Sequence, residues 1–351
     1  MLIGLWALKV TGPSLLRGRF LQTNGLVRIF KAALTDQIVT EWRDMSTIKI
    51  DDIAFVRFRA PDLTQMRAFL EDFGLAVAED GGKLFARGGG DSPFLHVTEV
   101  GEPGFAGLGL RASSLGDLKR LAAAEGVQVE PLDTPGGGQV VRLTDPDGRL
   151  VEVVAGQAPA PPLSLPRREA WNTAAERARL RQTKRVAGGP AHVVRLGHCV
   201  LNVSDFRAVE RWYKERFGFI TSDEIALTPE FSVGAFLRCD RGAAPTDHHT
   251  LFLIQAPSGP GFNHAAFEVA DFDDLMAGHQ QLKDAGRHAE WGVGRHILGS
   301  QIFDYWRDPW GHTLEHWTDG DLFTAADGSN VASVTDLMGV QWGAAAPPTM
   351  G

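Results

Sequence analysis

The stretch LTDPDGRLVEVV at residues 143–154 returns, altered but recognisable, as WRDPWGHTLEHW at residues 306–317. Both run Asp-Pro-x-Gly into a strand and carry a Glu four residues after the Gly. Asp-Pro-x-Gly is turn chemistry: Pro presets its own φ, Asp bonds back to the nearby backbone, and Gly tolerates a positive φ. Each stretch therefore predicts a tight turn feeding a final strand. Two such endings, 163 residues apart, predict a duplicated architecture.

Working outward, four helix-like segments recur, each with apolar residues at helical spacing and a Gly near its end. The first carries Leu63, Met66, Phe69, Leu70 and Phe73 before Gly74, and the second Leu115, Leu118 and Leu121 before Gly126. The third carries Phe206, Val209, Trp212, Tyr213 and Phe217 before Gly218, and the fourth Phe272, Leu275, Met276 and Leu282 before Gly286. The first and third even close alike, EDFGL and ERFGF. A short apolar strand precedes each segment and several follow it. The expected fold is α+β, with four βαβββ modules paired into two domains.

The expected boundaries are a leader at 1–47, unstructured or mis-assigned, a first domain at 48–155, a linker at 156–192, a second domain at 193–320 and a tail at 321–351. Prolines and polar residues mark the linker, with a short helix expected around residues 169–181. The Gly/Ala-rich tail offers Met338, Val340 and Trp342 as anchors and is expected either to fold over a pocket or to be mobile.

The whole chain has 351 residues, 35 Lys and Arg against 43 Asp and Glu, and a formal net charge of −8. This balance lacks the basic surface that dominates nucleic-acid affinity. No run of about 18 apolar residues is present to span a bilayer. Two cysteines, Cys199 and Cys239, suit neither a disulfide framework nor a Cys-rich zinc site, so a cytoplasmic protein acting on a small molecule is expected.

Chemistry should lie where ligand-type residues concentrate, and nine of the 11 histidines fall from His198 to His316. Matching the halves separates structural residues from added ones. His198 matches Phe55, His264 matches Gly107, and Glu315 matches Glu152, so the carboxylate persists while the imidazoles belong to the second half alone. That is the pattern of one live metal site and one dead copy. Two His from the first strands of successive modules and a Glu from a final strand could converge as a 2-His-1-carboxylate set, which suits Fe(II) or Mn(II) and leaves coordination positions open. Taken singly, each His reads as structural; their equivalent places in a repeat raise the joint reading. Strand alternation puts Glu315 on a face with Thr313 and Trp317, and turns Cys199 and His316 away.

Residues from about 50 to 320 resemble the type I extradiol ring-cleaving dioxygenases of the vicinal oxygen chelate superfamily, which also hosts glyoxalases and bleomycin resistance proteins. The closing stretch IFDYWRDPWGHTLEHWTDGD is similar to that family's signature, in which a Tyr, here Tyr305, precedes the ligand Glu by ten residues. The resemblance implies that His198, His264 and Glu315 hold iron. It also implies that His296, in GRHILGSQIFDY, and Tyr305 contact substrate oxygens. In TDHHTLFLI it implies that His248 is the acid-base residue, with His249 beside it at the substrate. Implied too are a catechol-type diol and O2 as substrates, a hydroxymuconate-semialdehyde-type product and a homo-oligomer. No Arg stands out for a substrate carboxylate, so a neutral catechol, substituted or bicyclic, is expected. His279, His288, His312 and His316 are expected to be structural or superficial. The alternative is a non-oxidative metal enzyme of the same superfamily, of glyoxalase, isomerase or lyase type, or a small-molecule-binding protein.

Overall fold

The computed structural model describes residues 46–166 and 170–348. The expectation for a leader falls almost wholly outside them. The first sheet contains β1 (Ile50–Ala60), β2 (Ala76–Asp80), β3 (Lys83–Arg87), β4 (His96–Val100), β5 (Gly104–Ala112), β6 (Glu130–Pro131), β7 (Gln139–Thr144) and β8 (Leu150–Ala155), with α1 (Leu63–Asp72) after β1 and α2 (Leu115–Glu125) after β5. The second contains β9 (Val193–Asn202), β10 (Ile220–Thr228), β11 (Phe231–Arg238), β13 (Leu251–Ile254), β14 (Gly261–Val269), β15 (His288–His296), β16 (Ile302–Arg307) and β17 (Thr313–Thr318), with α3 (Phe206–Phe217) after β9 and α4 (Phe272–Asp284) after β14. Strand order is β2-β3-β4-β1-β5-β8-β7-β6 in one and β10-β11-β13-β9-β14-β17-β16-β15 in the other. The two orders are equivalent strand for strand, which gives four βαβββ modules in two sheets.

Local chemistry accounts for the helices. Asp62, Ser114, Asp205 and Asp271 cap the four N-termini, each side chain accepting at least one backbone N–H that the first turn leaves unpaired. Gly126 and Gly218 end α2 and α3 at φ 68° and 69°, the left-handed conformation that costs Gly little. The apolar stripes of the helices pack on one face of their sheets, in a core that runs through both halves. Phe73 after α1 packs edge-on against Phe267 of β14, and buried His316 donates from Nε2 to the Phe73 carbonyl at 2.7 Å.

The opposite faces differ. In the first sheet Phe55, Phe85 and Phe94 join Val97, Val140 and Val154 in a closed apolar cluster. In the second, two smaller clusters, one around Val200, Phe236 and Phe252 and one around Trp291, Phe303 and Tyr305, leave a cavity between them.

The linker corrects one expectation. Residues 170–181 contain no helix; Arg179 N–H donates to Asn172 Oδ1 at 2.7 Å and a bridge joins Asn172 to Arg177. Trp171 and Leu180 are exposed, so the segment has no apolar stripe docked to reward helix formation. The tail extends the second sheet at both edges. A short pair of β12 (Thr246–Asp247) and β18 (Leu322–Phe323) leads to β19 (Asn330–Ser333) on β10, then α5 (Val334–Leu337), then β20 (Val340–Gly343) on β15. Among the described residues no helix is long and apolar enough to cross a membrane.

Candidate metal centre and cavity

Register brings the three matched residues together. His198 of β9 pairs with Ala266 of β14, and Ala266 pairs with Glu315 of β17, so His198 and Glu315 flank one small residue across three neighbouring strands. His264 lies two residues before Ala266, hence on the same face. His198 Nε2 and His264 Nε2 each come to 3.3 Å from Glu315 Oε2. One ligand atom from each of the three residues lies within 4.8 Å of the others, and all three residues are buried.

This arrangement fits a divalent cation. Both Glu315 oxygens and His198 Nδ1 are buried without a hydrogen-bond partner, an expense that a cation between them would remove for the carboxylate. Adjacent ligands of an octahedral ion bonded at about 2.1 Å stand about 3 Å apart, close to the spacing found. His264 Nδ1 bonds Asn263 Oδ1 at 2.7 Å, which puts the ring proton on Nδ1 and leaves Nε2 free to ligate. Asn263 Nδ2 donates in turn to Asn202 Oδ1 at 3.1 Å. Burial alone would raise the Glu315 carboxyl, and the three surrounding imidazoles of His198, His264 and His296 outweigh it, holding the group well below the usual carboxylate range. Burial lowers His264, in favour of the neutral ring that a metal requires.

A cavity of about 310 Å³ opens beside the triad. Its walls carry Val200, Val233, Phe236, Phe252, Ile254, Leu298 and Trp291, with Val334, Leu337 and Met338 of the tail closing one side. The tail thus folds against the pocket, and its first anchors there are Val334 and Leu337 as well as Met338. Besides the histidines and Tyr305, the polar side chains of the wall are Asn202, Gln255, Asn263 and Gln301, and among the described residues no Lys, Arg, Asp or Glu lines it. Along β9, Val200 and Asn202 follow His198 on the cavity face, so the floor runs roughly 13 Å from the triad at about 3.3 Å per residue, apolar at Val200 and ending at the polar Asn202.

His296 and Tyr305 also line the cavity, with His296 Nε2 and the Tyr305 hydroxyl sharing a hydrogen bond at 2.9 Å. Tyr305 pairs with Glu315 across β16 and β17 and stacks on Trp291. Burial, with the Glu315 carboxylate beside it, pushes the phenol well above its ordinary value, so it keeps its proton.

The adjacent histidines bring a correction. His249 lines the cavity, with its ring centroid 4.0 Å from that of His198, whereas His248, the expected acid-base residue, does not. His248 sits behind, 1% exposed, its Nε2 at 2.6 Å from Asp223 Oδ2 and its Nδ1 at 3.0 Å from His249 Nδ1. The chain bends at His248 and Thr250 between β12 and β13, and simple alternation does not carry back through this junction. Burial, then the neighbouring rings of His198 and His248, lowers His249 well below the ordinary imidazole range.

The other expectations for histidines find structural partners. His279 bonds Asp304 and His312 bonds Asp308, while His288 is exposed. Cys199 lies in the core on the helix side. Asp223, Asn202 and Asn263 went unnoticed in the sequence; only the position of Asn263 directly before a matched His could have pointed to it.

The chain is similar to known proteins in its second half and over most of its length. Residues 195–316 match the Glyoxalase/Bleomycin resistance protein/Dioxygenase superfamily. The chain is 29% identical over 280 residues to Metapyrocatechase 2 of Cupriavidus necator, covering 79% of this chain and 83% of that one. It is 31% identical over 134 residues to the Iron-dependent extradiol dioxygenase of Rhodococcus jostii, covering 36% of this chain and 43% of that one. Among solved structures, the Mn(II)-bound glyoxalase from Novosphingobium aromaticivorans superposes with a TM-score of 0.70 at 26% identity, covering 86% of this chain and 94% of that one.

Proposed function

We propose that this chain, a member of the glyoxalase, bleomycin resistance protein and dioxygenase superfamily, is an extradiol dioxygenase that opens a catechol ring beside its diol with O2, in the cytoplasm, using Fe(II). The observation that carries the reading is the convergence of His198 Nε2, His264 Nε2 and a Glu315 oxygen beside an apolar cavity whose wall presents His249, His296 and Tyr305. Homology to the metapyrocatechase over most of both chains supports it.

A ferrous ion held by His198, His264 and Glu315 would supply the redox chemistry and a place where diol and O2 meet. The remaining work belongs to the chain's own side chains. The apolar wall takes the aromatic ring out of water and excludes solvent from the reacting atoms. Tyr305, kept protonated, donates a hydrogen bond to an ionised substrate hydroxyl, and His296 holds the Tyr305 hydroxyl in place. His249 takes a substrate proton at its free ring nitrogen and returns it as the ring opens, the task that the sequence reading gave to His248. The uncharged wall and its length favour a catechol with an apolar alkyl or aryl substituent and no carboxylate.

Likeness to the Mn(II)-bound glyoxalase favours a second reading, a metal enzyme without oxidation. Oxygen uptake separates the two. Anaerobically prepared, Fe(II)-loaded protein should consume O2 with 3-alkyl and 3-aryl catechols and form a yellow ring-opened product. Absence of uptake with every diol, at full iron occupancy, would reject the dioxygenase.

A further inference from the structure

A buried chain runs from Asp223 of β10 through His248 to His249 at the cavity wall, and the reaction as described uses only the last of the three. Their exposures are 7%, 1% and 4%. We propose that Asp223 and His248 are a positioning pair that holds His249 in one tautomer, with its proton on Nδ1 and Nε2 bare toward the substrate. The inference rests on the reading of His249 as the group that faces substrate.

Donor and acceptor chemistry gives the chain its proposed direction. A carboxylate only accepts, so the 2.6 Å contact with Asp223 Oδ2 puts a proton on His248 Nε2. In the proposed arrangement His248 carries only that ring proton, and Nδ1 is its acceptor. The 3.0 Å contact between the two Nδ1 atoms requires one donor, and His249 Nδ1–H is the group left to provide it. His249 therefore keeps an unprotonated Nε2, the state a base needs. The logic is that of a carboxylate orienting a catalytic imidazole, with a second imidazole as the intermediate.

His248 is held too firmly to be an incidental neighbour. Its backbone N–H donates to Asp321 O at 3.0 Å, and Ser222 Oγ donates to its carbonyl at 2.6 Å. Phe236 and Phe323 pack against its ring. Gly299 leaves room beside it: a Cβ there would stand 3.1 Å from His248 Nδ1 and 2.5 Å from Gln301 Oε1, at a φ of +77°.

The test joins spectroscopy to two substitutions. In 15N-histidine-labelled protein carrying diamagnetic Zn(II), His249 should show a protonated Nδ1 and an unprotonated Nε2; a protonated Nε2 would overturn the proposal. In the Fe(II) enzyme, His248→Phe should lower kcat at least about 10-fold, a modest share of what a general base contributes. KM and metal affinity should move less than about twofold, since substrate and metal contacts remain. His248→Gln, whose amide can donate to Asp223 and accept from His249, should recover most of kcat. A His248→Phe enzyme with undiminished kcat, or equal losses in the Phe and Gln variants, would reject the positioning role. Wild-type protein that turns over no catechol would reject the ring-cleavage reading instead, and the nitrogen spectrum tests the tautomer in either event.

Discussion

Glu152 and Glu315 occupy the same position in the two sheets and meet opposite surroundings. Each is paired through a small residue, Gly109 or Ala266, to the strand that bears Phe55 in one half and His198 in the other. Around Glu315 the neighbours are imidazoles, and its two oxygens have no hydrogen-bond partner. Around Glu152 they are guanidinium groups. Arg57, at the position matching Val200, reaches it through Nη2 at 2.7 Å and Nε at 3.1 Å, and Arg142, matching Tyr305, reaches it at 3.0 Å. The first half thus keeps the carboxylate and satisfies it with fixed positive charge, while Phe55 and its neighbours fill the space where a substrate would lie.

Removing Arg57 should therefore destabilise the protein without touching the metal. Arg57→Ala leaves a carboxylate that is 2% exposed with Arg142 as its remaining cation, and should cost about 3 kcal/mol, the lower end for a broken buried pair. Adding Glu152→Leu should restore much of the loss. Urea unfolding measures both, and metal content per chain should stay at the wild-type value.

Asn263 should set metal affinity through His264. Asn263→Ala removes the acceptor at 2.7 Å from His264 Nδ1 and frees the ring to rotate or change tautomer. Affinity for Mn(II), read by calorimetry, should weaken about 10- to 100-fold. Asn263→Asp, which keeps an acceptor, should weaken it far less.

Buried His96 should make the protein sensitive to acid. Its pKa is lowered to about 3, chiefly by burial, with Asp308 opposing and His312 adding to the shift. Unfolded, the ring titrates near 6.5, so below that pH the unfolded chain binds a proton that the native state refuses. The contribution to stability is complete above about 6.5 and is lost progressively as pH falls toward about 3, at up to about 1.4 kcal/mol per pH unit. His96→Gln should lack this component. Urea midpoints at about pH 7 and about pH 4.5 should therefore diverge more in wild type than in the variant.

Chain length on the substrate should report the apolar floor. Each methylene added to a 3-alkylcatechol should raise kcat/KM about three- to fourfold, or about 0.8 kcal/mol, until the cavity is full. Val200→Asp, on the cavity face next to the triad, should abolish that rise. A flat profile in wild type, or a preference for carboxylated catechols, would contradict the assignment of substituent class.

Much of this was legible before any coordinates. The repeat gave the module order, and strand register matches Phe55 with His198, Gly107 with His264 and Glu152 with Glu315, as the aligned halves expected. Duplication carries such information because both copies must satisfy the same pleat and pairing. What failed depended on a junction or on long-range partners. His248 and His249 are indistinguishable by type, and which one meets the cavity depends on the bends at His248 and Thr250, outside regular strand. The segment at 170–181 has helix-forming residues without a surface to dock on, a tertiary fact that local propensity does not contain. Nothing in the sequence ties Arg57 and Arg142 to Glu152; only the strand pairing sets them beside it.

The central claim is that one metal-bearing site inserts dioxygen into a catechol. The most direct measurement is the mass of the product formed by Fe(II)-loaded protein from a 3-alkylcatechol under 18O2, quenched before exchange with water. The account predicts a ring-opened product bearing both labelled oxygens, and none from the His264→Ala variant. An unlabelled product, or labelled product in equal yield from His264→Ala, would contradict it.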